Sequence, residues 1–256
     1  MNTELVKNFR AKIGNGPVLG PFMKTADPAF VEAAGYAGMD FVILDMEHGP
    51  VNLTAMQNNI RAAQLAKTLP VIRVGELSEF AILQALDVGA AGVQVPQIRN
   101  AEEARDVVRF SKYYPMGERG VCRFVRAAKY SATPRQEYFA NANNDALLII
   151  HLEGREALEN LDEILAVEGI DIVFIGPYDL SQSLGVPGET SHPKVIAAME
   201  DVVSRAQKAG VTVGTFTDSA ETLNTWKSAG VRYLSYSVDV GIFYEACAKL
   251  ASSMKE

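Results

Sequence analysis

Cysteines are scarce in this chain, and their spacing excludes two kinds of site. Cys122 and Cys247 are the two cysteines among 256 residues, and they do not have the spacing of a metal site. A chain of this length can bury a large hydrophobic core, so it needs no disulfide framework to fold. We interpret both residues as ordinary thiols.

The sequence also has no run of basic residues and no long apolar run. Its formal net charge is −7, so neither a nucleic acid nor an anionic membrane is an expected partner. The longest apolar stretches are too short to span a bilayer, and the amino-terminal residues show no signal-peptide pattern. From these absences we expect a cytoplasmic protein.

Two nucleotide-binding motifs are missing as well. Gly14, Gly16 and Gly20 do not form G-x-G-x-x-G after a strand, and the chain contains no P-loop. This weakens the case for a doubly wound open sheet, which remains the structural alternative.

The pattern that is present is an alternation of strands and helices. Strands are predicted at 17–23, 39–44, 70–74, 91–96, 147–151, 170–175, 211–215 and 231–236. Helices are predicted at 1–12, 28–37, 52–67, 78–88, 100–113, 155–167, 191–209, 219–228 and 239–253. Residues 114–145 are predicted to be an irregular excursion, which in barrels is commonly functional. Eight strands alternating with helices, without a linker, predict one (β/α)8 TIM barrel over residues 1–256.

Two carboxylates follow neighbouring predicted strands. Glu153 comes at the end of one buried strand, and Asp179 lies in the Gly176-Pro-Tyr-Asp179 turn after the next. Ligands of parallel α/β folds bind at the carboxyl ends of the strands. Two acids there suit a hard divalent cation whose remaining positions are left to water or substrate. The alternative is that each acid only solvates a loop.

Other polar residues fall at strand ends, and two of them suggest chemistry. The complete set is Asp45, Glu47, His48, Arg73, Gln97, Glu153, Asp179, Thr217 and Asp218. His48 is a natural proton acceptor near neutral pH, or else a turn residue that bonds the backbone. Arg73 interrupts an apolar strand, and a buried guanidinium requires an anion. That anion is either a substrate oxyanion or an internal partner, Glu153 or Asp179.

Three further residues have less certain roles. Asp87 precedes the predicted helix stop at Gly89 and is predicted to be a surface acid at a helix end. His151 lies two residues before Glu153, on the same strand face, so it points into the barrel. There it is either a core histidine with both nitrogens satisfied or a ligand contact. His192 precedes Pro193 at a helix start, and we interpret it as structural.

Together these residues fit proton and carbon–carbon chemistry next to a carbonyl. A metal that chelates a 2-oxo acid stabilises the enolate left by cleavage, and a histidine moves the proton. A Schiff-base mechanism would instead need a lysine inside a strand. Lys24, at the end of the first strand, comes nearest to that position, so the lysine route is the weaker one.

The motifs in order resemble a known family. They are Asp45-Met-Glu-His48-Gly-Pro, Pro70-Val-Ile-Arg73-Val, Leu86-Asp87-Val-Gly-Ala, Tyr114-Pro-Met-Gly-Glu-Arg-Gly, Glu153 and Phe174-Ile-Gly-Pro-Tyr-Asp179-Leu-Ser. Over about residues 15 to 245 the chain resembles the class II pyruvate aldolases of the hydroxy-oxo-heptanedioate aldolase family. The resemblance implies a phosphoenolpyruvate/pyruvate-type barrel whose last helix is exchanged between subunits of a homotrimer or homohexamer.

The resemblance also implies roles for individual residues. Glu153 and Asp179 would bind Mg²⁺, Mn²⁺ or Co²⁺, and the backbone around Tyr178 and Asp179 would hold the pyruvate carboxylate. Arg73 would stabilise the enolate oxygen, with His48 accepting the proton of the aldol hydroxyl. Asp87 would raise the basicity of that histidine.

Two residues depart from the family pattern on the oxo-acid side. His151 stands where the family commonly has a glutamine that contacts the oxo acid, and Tyr178 stands where a small or amide residue often precedes the metal-binding aspartate. Both changes could select an oxo acid other than pyruvate, or another reaction.

The expected function is metal-dependent, reversible cleavage of a 4-hydroxy-2-oxo acid, such as 4-hydroxy-2-oxoheptanedioate or a related keto-deoxy acid, into pyruvate and an aldehyde through an enolate. Decarboxylation of an oxo acid or cleavage of an acyl-CoA would use the same chemistry. A CoA substrate would require basic residues beside the mouth, for which the sequence offers Arg119, Arg123 and Arg126. A third possibility is a barrel that binds a carboxylic acid without turnover.

Overall fold

Eight parallel strands close into a barrel in chain order in the computed structural model, which describes residues 2–254. The strands are β1 (Val18–Met23), β2 (Phe41–Asp45), β3 (Leu69–Arg73), β4 (Gly92–Val95), β5 (Leu147–Leu152), β6 (Ile172–Ile175), β7 (Thr212–Thr217) and β8 (Tyr233–Val238). The closing pair, β8 with β1, is parallel like the others. The (β/α)8 prediction is confirmed, and the open-sheet alternative is wrong.

Helices cover the outside of the barrel. They are α1 (Thr3–Asn15), α2 (Pro28–Tyr36), α3 (Leu53–Leu65), α4 (Glu79–Asp87), α5 (Ala101–Ser111), α6 (Arg135–Asp145), α7 (Arg155–Glu159), α8 (Leu161–Leu165), α9 (Pro177–Ser183), α10 (Pro193–Lys208), α11 (Ala220–Ser228) and α12 (Asp239–Ser253). A 3₁₀ helix spans Arg126–Ser131. No helix within residues 2–254 is both long and apolar enough to cross a membrane.

The strands are apolar on both faces because each face packs against something different. Outward-facing side chains such as Val42 and Leu44 meet the helices, whereas Phe41 and Ile43 fill the barrel interior. At the amino end of the barrel, Phe9 of α1 packs edge-on against the ring of Phe41. Helix α1 therefore closes the bottom of the barrel. Residue 1 of the predicted 1–12 helix lies outside the described residues.

Local sequence signals fix several helix starts. The side chain of Asp27 accepts a hydrogen bond from the Ala29 amide (2.9 Å), and Pro28 occupies the first helical position, as predicted. His192 caps α10 by accepting the Lys194 amide hydrogen bond through Nδ1, which supports its structural interpretation. The two cysteines are free and exposed, as expected for ordinary thiols.

The prediction that residues 114–145 are irregular is wrong for half of that segment. Arg135–Asp145 is a regular helix, and Arg126–Ser131 forms 3₁₀ turns that are interrupted by the left-handed residues Lys129 and Tyr130. Helix α6 escaped detection because it is polar and has little apolar periodicity. Tyr138 anchors it by packing against Tyr113, and the two hydroxyls lie 3.0 Å apart. Tertiary contacts rather than an amphipathic pattern hold this helix.

Two other segments differ from their predicted form. The predicted helix 155–167 is divided into α7 and α8 at Asn160, whose side-chain amide donates to the Arg99 carbonyl (3.0 Å). The predicted turn at 176–179 instead starts helix α9, with Pro177 at the first helical position. Asp179 therefore lies in the first turn of a helix at the end of β6.

Candidate active site

A cavity of about 250 Å³ opens at the carboxyl end of the barrel. It is lined by Phe22, Lys24, His48, Arg73, His151, Glu153, Phe174, Gly176, Pro177, Tyr178, Asp179, Phe216 and Val238. Every residue predicted for the site is in this set except Asp87. The strand ends meet here because the strands are parallel and the barrel is closed.

Arg73 is held by two acidic side chains. Its Nε and Nη2 each donate to the Asp45 carboxylate at 2.8 Å, and its Nη1 lies 2.8 Å from Oε2 of Glu47. The guanidinium also lies over the Phe22 ring, 4.6 Å from its centroid. The internal partners considered from the sequence, Glu153 and Asp179, are thus the wrong ones. Arg73 is fixed in orientation where it faces the cavity.

Asp45 is fully buried and still ionised. Burial by itself would raise the pKa of Asp45, but hydrogen bonds and charge from Arg73, with the amides of His48 and Glu47, lower it below its usual value. Sequence reasoning placed this residue at a strand end and gave it no role. The folded sheet supplies the reason for the pairing, because Asp45 and Arg73 are register partners on the adjacent strands β2 and β3.

Glu47 has the opposite electrostatic balance. Burial raises its pKa, the negative charge of Glu153 raises it further, and Arg73 offsets this only in part. Glu47 was also given no role from the sequence.

His151 is 1% exposed and has partners for both ring nitrogens. Nδ1 contacts Oε1 of Glu153, and Nε2 contacts the side-chain amide of Gln94. The ring stacks on Phe174, with centroids 4.6 Å apart. The core-histidine interpretation therefore describes its bonding, while one edge of the residue still reaches the cavity. Gln94, a buried amide inside β4, was missed because nothing in its local sequence marks it.

Glu153 is 5% exposed, and its surroundings favour the ionised carboxylate. Burial would raise its pKa, but His151 and Arg73 together lower it below the usual value. Its Oε2 accepts a hydrogen bond from the amide of Gln97 (3.2 Å), a residue with φ of 55°. A left-handed backbone at a non-glycine residue is strained, and such strain is often kept at functional sites. Here it directs an amide toward Glu153.

Gly176 leaves room for this carboxylate. A Cβ at that position would lie 2.5 Å from Oε1 of Glu153. The glycine between β6 and α9 therefore lets the Glu153 carboxylate sit directly beneath the turn that carries Asp179.

Tyr178 forms a polar rim on the β6 side of the cavity. Its hydroxyl donates to the Asp218 carboxylate (2.6 Å), and this hydrogen bond, with burial, raises the pKa of Tyr178 to about 12. The tyrosine therefore stays neutral at physiological pH. Asp179 beside it is exposed at the cavity mouth.

The two carboxylates Glu153 and Asp179 suit a divalent cation. Each oxygen of Glu153 keeps a second lone pair beyond its present hydrogen bond, and the residue is ionised. No cluster of three or more His, Cys, Asp or Glu able to hold a metal occurs within residues 2–254. A site with two protein carboxylates and several open positions matches the coordination that Mg²⁺ prefers.

His48 follows β2 with its side chain exposed at the mouth. Its backbone amide donates to Oδ1 of Asp45 at 3.3 Å. This bond anchors the loop to the buried acid that also holds Arg73, so both residues are positioned through Asp45.

Asp87 does not line the cavity. It ends helix α4, and a helix that follows a barrel strand runs back toward the amino end, away from His48. Its carboxylate accepts a hydrogen bond from Arg119 (2.6 Å). The surface-acid interpretation is therefore incomplete, since Asp87 is partly buried and paired.

The three arginines considered for a CoA substrate lie in the connection between α5 and β5. That connection is at the amino end of the barrel, opposite the cavity. Arg126, for example, donates to the carbonyl of Val88 just after α4 (3.1 Å). Placing these residues beside the mouth was wrong for a single chain.

Comparison with known proteins assigns the family. The profile of the HpcH/HpaI aldolase/citrate lyase family matches residues 19–246. The chain belongs to this family. A 2-keto-3-deoxy-L-rhamnonate aldolase of Escherichia coli (strain K12) is 36% identical over 248 residues, which cover 96% of this chain and 92% of that protein.

Solved structures of HpcH/HpaI family proteins agree with the fold. A family protein from Burkholderia cenocepacia J2315 has a TM-score of 0.93 at 30% identity and covers 99% of this chain and 100% of that one. The citrate synthase SbnG has a TM-score of 0.85 at 29% identity, with 99% and 97% covered. The protein is an enzyme of the class II aldolase group, as the sequence resemblance implied.

Proposed function

We propose that the protein cleaves a 4-hydroxy-2-oxo acid reversibly into pyruvate and an aldehyde. The observation that carries this proposal is the composition of one cavity, in which the carboxylates of Glu153 and Asp179 face the guanidinium of Arg73 and the imidazole of His48. The relatives named as aldolases support the reaction class.

The oxo acid would bind at the β5–β6 side of the cavity. Glu153 and Asp179 would hold Mg²⁺, Mn²⁺ or Co²⁺, which when bound supplies electrostatic stabilisation of negative charge on the keto oxygen. By the family resemblance, the backbone around Tyr178 and Asp179 would hold the carboxylate of the oxo acid. His151 and Tyr178 border this region and would select among oxo acids.

Arg73 would stabilise the enolate that carbon–carbon cleavage leaves behind. Its guanidinium is already fixed by Asp45 and Glu47, so no reorganisation is needed when charge develops on the substrate oxygen. A preorganised cation of this kind favours the charged state over the neutral substrate.

His48 would accept the proton of the C4 hydroxyl during cleavage and return it during addition. Its side chain is exposed at the mouth and its backbone is tied to Asp45, so it can reach a substrate without losing its position. Asp87 lies at the other end of its own barrel, so the role carried over from the family would require Asp87 of another subunit.

The oligomer implied by the family is a homotrimer or homohexamer with exchanged last helices.

Acyl-CoA cleavage receives no support from the cavity, because the arginines considered for it lie at the opposite end of the chain's barrel. Cleavage of a small oxo acid is the better match to the cavity of about 250 Å³.

The proposal is tested by proton NMR of pyruvate in D₂O, which follows deuterium entry into the methyl group. We expect exchange with Mg²⁺ or Mn²⁺, its loss in excess EDTA, and no exchange by Glu153→Ala with any of these metals. Exchange that persists at full rate in EDTA, or an unchanged metal titration of Glu153→Ala, would contradict the assignment. Exchange needs no knowledge of the aldehyde.

A further inference from the structure

Lys24 is a cation in the cavity that the proposed reaction does not use. It follows β1 directly, and both oxygens of Asp239 accept hydrogen bonds from its backbone amide, at 3.0 and 3.1 Å. Its main chain is thus fixed to the start of α12. Its side chain is 29% exposed and lines the cavity.

The ammonium of Lys24 has donors to spare. Its nearest acid is Asp45, with Nζ 3.8 Å from Oδ2, which is longer than a hydrogen bond. That carboxylate already accepts two hydrogen bonds from Arg73 and the backbone amides of Glu47 and His48. Within residues 2–254, Nζ of Lys24 donates no hydrogen bond to a protein acceptor. The nearby Asp45 carboxylate therefore stabilises the ammonium, whose N–H groups can still bind a ligand.

Two of the other nitrogen-bearing side chains in the cavity are already bound by protein groups. Arg73 is bound by Asp45 and Glu47, and both ring nitrogens of His151 have partners. Lys24 consequently differs from them in function: its three N–H donors can meet a charged group that enters from solvent.

Its position relates it to one half of the substrate. The ammonium of Lys24 and the backbone amide of His48 both lie next to the Asp45 carboxylate, on the β1–β2 side of the cavity. Glu153 and Asp179 lie across the cavity, after β5 and β6. In the proposed reaction the oxo acid occupies the β5–β6 side, so Lys24 is beside the carbons that derive from the aldehyde.

We propose that Lys24 binds an anionic group, a carboxylate or a phosphate, on the aldehyde-derived half of the substrate and thereby selects charged aldehydes. This inference rests on the proposed function for the orientation of the substrate. It assigns Lys24 as a residue that determines aldehyde specificity in the proposed reaction.

The first experiment is aldol addition of pyruvate to paired aldehydes in the presence of Mn²⁺. Succinic semialdehyde is compared with butanal, and glyceraldehyde 3-phosphate with glyceraldehyde, so that the two pairs distinguish a carboxylate from a phosphate. We expect wild type to prefer the charged member of one pair in kcat/KM by about 10- to 100-fold, the usual worth of a charge-assisted hydrogen bond.

Lys24→Met should remove that preference by slowing the charged aldehyde alone, and Lys24→Arg should retain part of it. Lys7→Met is the matched control, because it removes the same charge from α1, at the other end of the barrel. Equal losses for charged and neutral aldehydes would overturn the inference and show that Lys24 positions Asp45 instead. Unchanged rates for all four aldehydes would overturn it as well.

A binding measurement separates this inference from the proposed reaction. 2-Oxoheptanedioate and 2-oxoheptanoate have no 4-hydroxyl group and cannot undergo aldol cleavage. Each acid is titrated into the protein in a calorimeter, with Mn²⁺ present. The wild type should bind the diacid more tightly than the monoacid by about tenfold or more, and Lys24→Met should bind the two acids equally. Equal binding of both acids by wild type would contradict the role of Lys24. A Lys24-dependent preference in a protein that fails to exchange pyruvate protons would reject the aldol reaction while supporting the anion site.

Discussion

Asp45 organises the site through four hydrogen bonds, although its position in the sequence gave no indication of such a role. Two come from Arg73 and two from the amides of the loop that carries His48. A buried carboxylate of this kind is stable only with its cation, because removing one partner leaves an uncompensated charge. The proposed enolate-stabilising and proton-transfer groups are therefore positioned by the same acid.

His48→Ala should separate proton transfer from metal binding. We expect aldol cleavage to fall by about 10²- to 10⁴-fold, the usual contribution of a general base, while the Mn²⁺ titration stays as in wild type. The measurement is the steady-state cleavage rate of a 4-hydroxy-2-oxo acid, with pyruvate released. The control is His192→Ala, which removes a helix cap distant from the cavity.

Normal cleavage by His48→Ala would show that another group accepts the proton. A parallel loss of metal affinity would show that His48 belongs to the metal site instead. Either result would change the assignment without affecting the family membership.

At the scale of residues, the sequence identified candidate site residues but did not show which of their side chains contact each other. Strand-end polar residues were identifiable because the ends of parallel strands meet at one rim, and six of the seven predicted site residues line one cavity. The partners of Arg73 and His151 depended on side-chain directions across strands. Local sequence does not contain that information.

Among the elements, the end of α6 shows how a polar helix is held in place. Lys112, just after α5, donates through Nζ to the carbonyls of Asn143 (2.7 Å) and Ala146 (2.8 Å). These are carbonyls at the end of α6 that have no partner within the helix. One buried lysine thus joins the ends of two helices at the bottom of the barrel.

Lys112 should make stability depend on pH in the alkaline range. Burial lowers its pKa to about 8, below the value of about 10.4 for an unfolded lysine. Between these values the unfolded state binds more protons, so this group makes the free energy of unfolding rise with pH, by at most about 1.4 kcal/mol per unit. Urea unfolding at pH 7, 8, 9 and 10 measures this rise in the free energy of unfolding.

Lys112→Met removes the titrating group and should remove this rise, so that the stability advantage of wild type over the variant grows from pH 8 to 10. Lys7→Met, an exposed lysine on α1, should follow wild type at every pH. If the free energies of unfolding of wild type and Lys112→Met changed in parallel with pH, the lowered pKa of Lys112 would be contradicted.

Over the whole molecule, helix α12 is the element that the barrel leaves least covered. Among its residues only Asp239 is buried, while Val240, Ile242, Phe243, Tyr244 and Leu250 are exposed. A group of exposed apolar side chains on one helix is typical of a protein–protein contact. It supports the expected exchange of this helix between subunits.

We therefore expect a trimer or hexamer by light scattering coupled to size-exclusion chromatography. Replacing both Phe243 and Leu250 by Asp should shift the mass toward the monomer, since charges would be desolvated in the contact. Far-UV circular dichroism should stay close to wild type, because these side chains are exposed within one chain. A monomeric wild type, or an unchanged mass of the double variant, would contradict the exchange.

The sequence by itself determined the barrel, because eight apolar strand segments alternating with capped helices leave few ways to bury both faces of a parallel sheet. It also determined at which rim the polar residues that follow the strands come together. Tertiary structure decided the rest: that Arg73 is bound by Asp45 and Glu47, that Asp87 lies at the far end of its own barrel, and that Lys24 enters the cavity. These facts depend on the closure and register of the barrel, which bring together residues that are far apart along the chain.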